Sequence, residues 1–350
     1  MSLNRDIAIL FARSHFPDWR RLRICDPMTA SAVRAVRYVA EAPNILCVVA
    51  ADADQKSVRY AEKIIKLNDV ADKISVVERE ANALLVSHMV ERFDLIDLDP
   101  YGSPAPFFEN ALRATVAGGV IAASATDMAP LTGARGAACF RKYGIKSVRT
   151  EFEKEMAIRT LAANLAIVAA KLELGVTLAF SHASDHYVRI YADLTKGKRA
   201  ANQSMNYLEF LTYCPACLKR DHHQSLERIG EICDCGGRVK IGGPLWFGRL
   251  CDSLTVERMI ENCPTLESSR LSELQILLDR IRGEADAPAL YYRIDALSRV
   301  LRIRPPKISE VLTKLHEKEF LAVRTHFHPN GLRTDAPHPE VVAVVKDLVV

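Results

Sequence analysis

The chain has 350 residues, of which 49% are apolar and 26% charged, with a formal net charge of +4 at pH 7, an ordinary composition for a soluble globular protein. No apolar run approaches the roughly 18 residues that a membrane span needs, and the charged start Asn4-Arg5-Asp6 argues against a signal peptide. We therefore expect a cytoplasmic protein of two or three domains that does not associate with membranes. The mildly basic charge is compatible with a polyanionic partner but does not by itself indicate one.

Short apolar runs alternate with helical patterns in the first part of the chain. The apolar runs predict five strands at 21–25, 45–50, 74–77, 93–98 and 120–123. The segments between them predict four helices at 31–41, 55–67, 81–90 and 106–115. Nearly continuous apolar strands separated by helices indicate a parallel sheet covered on both faces. Such sheets bind ligands at the carboxyl ends of their strands.

The pattern changes after residue 150. Residues 151–173 predict one long helix, and 176–181 with 187–194 predict an antiparallel pair that closes the sheet. The charged segment 196–199 is interpreted as a linker, which places one domain at 1–195 and a second at 196–350. In the second domain we expect a cysteine module at about 212–236. Helices predicted at 270–282, 291–302 and 307–319, with a hairpin after them, give a winged-helix-like outline over about 270–335.

The most informative motif is Asp99-Pro100-Tyr101-Gly102, directly after the predicted fourth strand. An exocyclic amine is hard to methylate because its lone pair is delocalised into the ring, so both N–H groups must be held by acceptors. The Asp99 carboxylate, as principal acceptor and proton sink, and the carbonyl of the rigid Pro100 supply two such acceptors, and Tyr101 can stack on a flipped base. The same residue types also favour a plain turn. Their position at the end of a central parallel strand favours methyl transfer.

The cofactor side of the predicted sheet edge is less distinctive. The loop at 26–32 has no glycine and does not match a nucleotide-binding fingerprint. Asp52 ends the second strand, where an acidic side chain can hold ribose hydroxyls; its alternative role is to cap the next helix, which Asp54 could also do. Glu80 could accept a hydrogen bond from the adenine amine; alternatively, it is an exposed, solvated charge with no binding role.

Four of the nine cysteines are clustered in the sequence: Cys214, Cys217, Cys233 and Cys235. Two closely spaced pairs in a cytoplasmic protein indicate a tetrahedral thiolate site for structural zinc, with no open position for catalysis. His222 and His223 are alternative ligands. A redox role for Cys214 and Cys217 is less favoured, because the pair does not open a helix in a βαβ unit.

Basic residues recur in the predicted winged-helix-like region. They are Arg293, Arg299, Arg302, Arg304, Lys307, Arg324 and Arg333, with His326, Phe327 and His328 among them. Basic side chains interleaved with aromatic ones suit RNA, whereas any single residue of this set could equally belong to a solvated face.

Further motifs extend over nearly the whole chain. They lie at 4–6, 97–104, 125–131, 141–143, 155–159, 181–189, 243–246 and 324–327. In this order they resemble the tRNA (guanine(26)-N2)-dimethyltransferase family in its compact archaeal form. The resemblance covers residues 4 to about 336.

The resemblance implies an α/β fold with a class I, Rossmann-like, S-adenosylmethionine-dependent methyltransferase domain. A C-terminal α+β domain would carry the zinc module and the winged-helix-like segment. By matching motif positions, Asp99 would be catalytic. The cofactor would be bound by Arg5, Arg34, Asp52, Glu80 and Ala81. The partner would be tRNA and the products N2-methyl- and N2,N2-dimethylguanosine; no obligate protein partner is indicated.

The chain departs from the family pattern at three places. Ala32 stands where the family has glycine, which predicts a less close approach of the backbone to the cofactor. Glu80 stands where aspartate is usual. The segment before Asn4 is shorter than in the family, and we expect it to leave part of the pocket wall unformed.

Two other classes of function are compatible with the residues. One is a non-catalytic nucleic-acid-binding protein on a methyltransferase scaffold, which Ala32 favours and the intact Asp99-Pro100-Tyr101 disfavours. The other is an amino-methyltransferase acting on adenine or on protein glutamine, which more often carries asparagine at the position of Asp99.

Overall fold

The computed structural model describes residues 2–227 and 229–349. Its larger sheet has seven strands: β1 (Leu22–Asp26), β2 (Ile45–Asp52), β3 (Ile74–Glu78), β4 (Phe93–Leu98), β5 (Thr115–Ala125), β6 (Leu174–Ser184) and β7 (Tyr187–Lys196). Their order is β3-β2-β1-β4-β5-β7-β6. The first five strands are parallel, and β7 runs antiparallel to both β5 and β6. The predicted parallel sheet and its antiparallel closing pair are confirmed.

Nine helices belong to the same part of the chain as this sheet. They are α1 (Ser2–His15), α2 (Val33–Glu41), α3 (Gln55–Leu67), α4 (Ala81–Ser87), α5 (Phe108–Ala114), α6 (Met128–Leu131), α7 (Gly136–Tyr143), α8 (Glu153–Lys171) and α9 (Lys198–Met205). Two separate clusters of buried apolar side chains form, one containing α1 and α2 and the other α5 and α8. Both faces of the sheet are therefore buried, as nearly continuous apolar strands require.

The linker predicted at 196–199 is wrong. Lys196 ends β7 and Lys198 begins α9, so the chain turns only at Gly197, whose φ of 122° favours glycine. The hydroxyl of Ser204 in α9 accepts a hydrogen bond from the backbone N–H of Val176 in β6 at 2.7 Å. The charged segment is thus part of a helix that packs on the sheet.

A smaller sheet carries the cysteine module. Its strands are β8 (Leu208–Tyr213), β9 (Arg220–His223) and β10 (Lys240–Trp246), in the order β10-β8-β9. All three are antiparallel to their neighbours. Lys146 and Gly243 pair through two backbone hydrogen bonds of 3.2 and 2.8 Å, which join this sheet to the segment after α7.

The C-terminal region confirms the three predicted helices and the hairpin. Its elements are α10 (Ser253–Asn262), α11 (Leu271–Glu284), β11 (Tyr292–Arg293), α12 (Ile294–Leu301), α13 (Ile308–Glu317), β12 (Ala322–Arg324), β13 (Gly331–Thr334) and α14 (His338–Asp347). The strands form a sheet in the order β11-β13-β12.

No helix within residues 2–227 and 229–349 combines the length and the apolar composition that a membrane crossing requires.

Candidate active site

A cavity of about 610 Å³ opens at the carboxyl ends of β1, β2 and β4. Among the residues predicted from the sequence, its lining includes Arg5, Arg34, Asp52, Asp99, Pro100 and Tyr101. Parallel strands bring these distant positions together because their carboxyl ends meet at one edge of the sheet. The cavity therefore unites most of the predicted cofactor residues with the predicted catalytic motif.

Arg34 links the two carboxylates of the motif. It lies in the first turn of α2, is 7% exposed, and donates from Nη1 to Asp97 Oδ1 at 2.7 Å. Its Nη2 pairs with Asp99 Oδ2 and donates to Asn4 Oδ1 at 3.3 Å. Arg34 Nε is buried and has no hydrogen-bond partner in the part of the chain that the structure describes. Two of its three nitrogens thus bind other side chains of the protein, and Nε does not.

Asp97 is a fully buried support for this arrangement. Its Oδ2 accepts from Arg189 Nη2 and from the hydroxyl of Tyr38, both at 2.8 Å. Arg189 also donates to Ser124 Oγ at 2.7 Å. Sequence reasoning gave no role to Asp97, Arg189 or Tyr38, although Asp97 and Arg189 lie inside the recognised motifs. These residues hold the end of β4 in place.

Asp99 differs from Asp97 in having a free acceptor. Its Oδ1 is buried and has no hydrogen-bond partner among residues 2–227 and 229–349. Burial raises the pKa of Asp99, but the charges of Arg34 and Arg189, with smaller contributions from the nearby Ser124 hydroxyl and the Arg34 hydrogen bond, outweigh it and leave the pKa below its ordinary value. Asp99 is therefore an ionised carboxylate with one oxygen ready to accept a hydrogen bond.

Asp26, at the end of β1, also lines the cavity and was not assigned from the sequence. Burial raises its pKa to about 7, against the charge of Arg34, which lowers it. Its Oδ2 accepts from Thr29 Oγ1 at 2.9 Å. An acid with this pKa changes charge near neutrality and adds a pH-sensitive negative group to the cavity.

Asp52 holds the loop between β1 and α2 against β2. Its Oδ2 accepts from the backbone N–H of Ala30 at 3.0 Å, and its Oδ1 from that of Asp54 at 2.9 Å. Asp54, not Asp52, caps α3, because its side chain accepts from Ser57 N. The alternative capping role for Asp52 is thereby removed.

The loop adopts the left-handed conformation at two alanines. Ala30 has φ 49° and Ala32 has φ 56°, a region that favours glycine. The Ala32 side chain is fully buried in the core, and the residue does not line the cavity. Its methyl group therefore lies away from the space where a cofactor would lie.

Glu80, Ala81 and Tyr101 lie at the periphery of the site. Glu80 caps α4 by accepting from Ala83 N at 3.0 Å, and neither it nor Ala81 lines the cavity. Tyr101 is fully exposed. Its ring therefore lies open to solvent beside the cavity.

Comparison with known proteins decides the family. The sequence profile described as "TRM: N2,N2-dimethylguanosine tRNA methyltransferase" matches residues 1–346. This chain belongs to that family.

Individual relatives agree with this assignment. The tRNA (guanine(26)-N(2))-dimethyltransferase of Methanobrevibacter smithii is 32% identical over 351 residues, covering 99% of this chain and 90% of the relative. The tRNA (guanine(26)-N(2)/guanine(27)-N(2))-dimethyltransferase of Aquifex aeolicus is 29% identical over 354 residues, covering 99% and 88%. A solved structure of Trm1 from Pyrococcus horikoshii in complex with S-adenosyl-L-methionine superposes with a TM-score of 0.91 at 29% identity, covering 99% of this chain and 93% of that one.

In this member of the family, the four clustered cysteines come together. The Sγ atoms of Cys214, Cys217, Cys233 and Cys235 all lie within 4.8 Å of one another. Cys214 and Cys235 are 3.5 Å apart, and Cys217 and Cys233 are 3.7 Å apart. These are close to the edges, about 3.8 Å, of a tetrahedron with metal–sulfur bonds of about 2.3 Å. The donor set therefore fits a metal ion.

The surroundings of the cluster also fit such a site. A Cβ added at Gly237 would lie 2.8 Å from Cys214 Sγ, so a side chain there would intrude on the thiolates. The backbone N–H of Gly237 lowers the pKa of Cys235 to about 7. His222 and His223 contact Glu209 and Thr212 in the β-sheet instead.

The C-terminal basic residues differ in exposure: Arg293 is half-buried and pairs with Asp295, and Arg324 is exposed. Arg299, Arg302, Arg304 and Lys307 are exposed. Arg333 and Phe327 are buried, at 3% and 2% exposure, so their predicted place on an RNA-facing hairpin surface is wrong. Arg333 instead pairs with Glu155 and Glu284. Charge and residue type alone could not distinguish an arginine in a buried ion pair from one on the surface.

Proposed function

We propose that this chain transfers methyl groups from S-adenosylmethionine to the exocyclic N2 of a guanosine in tRNA, with position 26 as the target named for its relatives. The products are N2-methyl- and N2,N2-dimethylguanosine. The observation that carries the proposal is Asp99, an ionised, half-buried carboxylate at the rim of a cavity of about 610 Å³, with one oxygen that has no partner among the described residues. Membership of the N2,N2-dimethylguanosine tRNA methyltransferase family supports guanine as the methylated base and N2 as the methylated atom.

Asp99 and Pro100 act on the amine together. Asp99 Oδ1 accepts one N–H of the guanine amine, and the carbonyl oxygen of Pro100 accepts the other. With both hydrogens held, the nitrogen lone pair is directed out of the ring plane, towards the methyl donor. Pro100 fixes its own φ, so the two acceptors keep a constant separation. Catalysis is then chiefly alignment.

Proton release follows methyl transfer. The new N–C bond forms as the methyl–sulfur bond breaks, and the amine becomes a cation and a strong acid. Asp99 accepts the proton even with its lowered pKa, because the cation is a stronger acid than the carboxyl group. In a second transfer to the same nitrogen one N–H is left, and one of the two acceptors holds it. Tyr101, open to solvent, stacks on the flipped base.

The cofactor lies among the residues of the cavity. S-adenosylmethionine, when bound, supplies a methyl group made electrophilic by its sulfonium. Arg5 and Arg34 would hold its carboxylate, and Asp52 would hold the ribose hydroxyls. Glu80 and Ala81 lie outside the cavity lining, at the start of α4, and would meet the adenine only if the side chain of Glu80 left its cap.

The four cysteines hold a structural zinc ion in this proposal, since four sulfur ligands leave no open position. Residues 1–195 form the methyltransferase domain and 196–350 the tRNA-binding domain. The place of α9 against β6 extends the packing of the first domain beyond residue 195.

The test is methylation of paired transcripts. Purified protein is incubated with labelled S-adenosylmethionine and with tRNA transcripts carrying guanosine or adenosine at position 26, the target position of the relatives. We expect label only in the guanosine transcript, as methylated guanosine after digestion. Equal labelling of the two transcripts would refute position 26 as the target. If neither transcript were labelled although the protein still bound tRNA, the hypothesis of a non-catalytic binding protein would be favoured.

A further inference from the structure

One surface segment is purely basic. Residues 128–149 contain Arg135, Arg141, Lys142, Lys146 and Arg149 and no aspartate or glutamate. All five side chains belong to exposed residues. We call these five residues the basic strip. A solvated face normally mixes both signs of charge, so a segment with one sign indicates an anionic partner.

The basic strip is mostly free of internal ion pairs. Lys142 pairs with Asp127 at 2.9 Å. Within residues 2–227 and 229–349, the other four make no ion pair with an acidic side chain. Their charges are therefore available to a ligand.

The segment that carries the basic strip is fixed to the fold. Tyr143 donates to Asp127 Oδ1 at 2.6 Å, and Ser147 donates to the carbonyl of Pro130 at 3.0 Å. A Cβ at Gly133 would lie 2.3 Å from the carbonyl carbon of Val148, so the two ends of the segment are in close contact. The backbone pairing of Lys146 with Gly243 anchors it to the β8–β10 sheet. The backbone that carries these charges is thus held in place.

Two residues of the basic strip adjoin the methyl-transfer motif. Arg141 and Lys142 line a second cavity of about 530 Å³ together with Pro100 and Tyr101. Pro100 and Tyr101 also line the cofactor cavity, which contains no residue of the basic strip. Pro100 and Tyr101 therefore lie between the cofactor cavity and the second cavity, which is lined by basic residues. Phe140, 65% exposed, lies next to Arg141 in α7.

We propose that the basic strip binds the sugar–phosphate backbone of the RNA around the target nucleotide, and that Phe140 stacks on an unpaired neighbouring base. The inference rests on the proposed function, because RNA is the polyanion that must reach Pro100 and Tyr101. Exposed basic groups beside an exposed aromatic ring suit single-stranded or opened RNA. A flipped nucleotide needs its flanking phosphates held in this way.

The first test is the salt dependence of tRNA binding. The triple variant Arg135→Ala, Arg141→Ala, Arg149→Ala is compared with a control triple variant in α3, Arg59→Ala, Lys63→Ala, Lys66→Ala. The control removes the same charge from a helix that packs beside β2 and β3. The dissociation constant of unmodified tRNA is measured over a series of salt concentrations.

Each lost phosphate contact lowers the slope of log affinity against log salt by about 0.7 to 0.9. We expect the strip variant to lose about two units of slope and at least about tenfold in affinity at low salt, with unchanged S-adenosylmethionine binding. The α3 control keeps the wild-type slope. Equal slopes in all three proteins, or equal losses in both variants, would overturn the inference.

The second test addresses Phe140. Loss of one base–aromatic stack weakens binding by about 5- to 150-fold, so Phe140→Ala should fall in that range and Phe140→Tyr should bind as the wild type does. If Phe140→Ala binds tRNA as tightly as the wild type does, Phe140 is not part of the RNA-binding surface.

The two proposals fail separately. If wild-type protein methylates guanosine in tRNA while the strip variant keeps its slope, the basic strip is refuted and the function stands. If wild-type protein binds tRNA through the strip without methylating it, the proposed function is refuted and the binding surface stands.

Discussion

Two aspartates of one motif receive different roles from their neighbours. Asp97 has both oxygens occupied by Arg34, Arg189 and Tyr38. Asp99 has one oxygen paired with Arg34 and the other free. A buried carboxylate oxygen without a partner costs free energy in the empty protein, and a substrate N–H can remove that cost. The residue scale therefore distinguishes the supporting carboxylate from the reacting one.

Asp26 should make cofactor binding depend on pH. Its pKa of about 7 means that it is protonated below and ionised above that value. The ionised form attracts the cationic cofactor, so affinity should rise about tenfold between pH 6 and pH 8 as the ionised fraction rises. Calorimetric titration of S-adenosylmethionine over this range measures the effect. Asp26→Asn should bind with a flat profile, and a profile equal to that of the wild type would contradict this role.

At the scale of elements, the sequence predicted those with clear periodicity. The first four parallel strands and α3 were predicted to within two residues, since apolar runs and a 3.6-residue period define them, whereas β5 begins five residues before its predicted start. The start of α1 was noted only as a motif. Residues Ile7 to Ala12 are all fully buried, so the helix has no polar face in that stretch and no amphipathic signal.

Other elements were hidden by their local chemistry. The helix α7 lies between Gly133 and Gly144, and α9 begins within a charged run after Gly197. Glycines and charged runs are typical of loops, so both helices look like loops in the sequence. The predicted site was recovered where motif residues follow strands, as with Asp52 and Asp99. The partners Arg189 and Tyr38 could not be predicted, because only the folded sheet brings them to Asp97.

The cysteine module depends on a glycine. Gly237→Ala would place a methyl group 2.8 Å from Cys214 Sγ and 2.7 Å from the Ala216 side chain. We expect this variant to bind zinc at least about tenfold more weakly, because the sulfur tetrahedron must distort. Competition with a coloured zinc chelator measures the change.

Gly230→Ala is the matched control for this prediction. Among the described residues other than its chain neighbours, the nearest atom to the added methyl group is 3.6 Å away, an ordinary contact. If Gly237→Ala and Gly230→Ala bound zinc equally weakly, crowding of the sulfur atoms would not be the cause of the weaker binding.

At the scale of the whole molecule, buried ion pairs join the N-terminal and C-terminal parts. Arg333 of β13 donates from Nη1 to Glu155 of α8 at 3.0 Å and from Nε to Glu284 of α11. Glu155 also pairs with Arg159 at 2.6 Å and accepts the backbone N–H of Leu290 at 2.9 Å. This network ties the helix packed on the sheet to the winged-helix-like region, which sets the position of one against the other.

Removal of Arg333 should destabilise the protein strongly. Arg333→Ala leaves two buried carboxylates short of a partner, a loss of about 3–5 kcal/mol in the free energy of unfolding. Arg324→Ala removes an exposed arginine at the end of the neighbouring strand and should change it by less than about 0.5 kcal/mol. Urea denaturation of both variants measures the difference. Equal stabilities would show that the network contributes nothing.

The same network predicts acid sensitivity. Burial raises the pKa of Glu155, but Arg333 and Arg159 outweigh it and hold the pKa at about 2, below the ordinary 4.5. This stabilisation is complete above the ordinary pKa and is lost as the pH falls towards about 2. In Arg333→Ala the pKa of Glu155 rises towards its ordinary value, so less stability should be lost between about pH 4.5 and pH 2 than in the wild type.

The most direct test of the central claim joins chemistry to Asp99. Wild-type protein and Asp99→Asn are incubated with S-adenosylmethionine and unmodified tRNA, the nucleosides are identified after digestion, and cofactor binding is measured in parallel. The account predicts N2-methyl- and N2,N2-dimethylguanosine from the wild type. It also predicts a rate at least about 100-fold lower in the variant, which still binds the cofactor. A variant that methylates at the wild-type rate, or a folded wild type that makes no methylated guanosine, would contradict it.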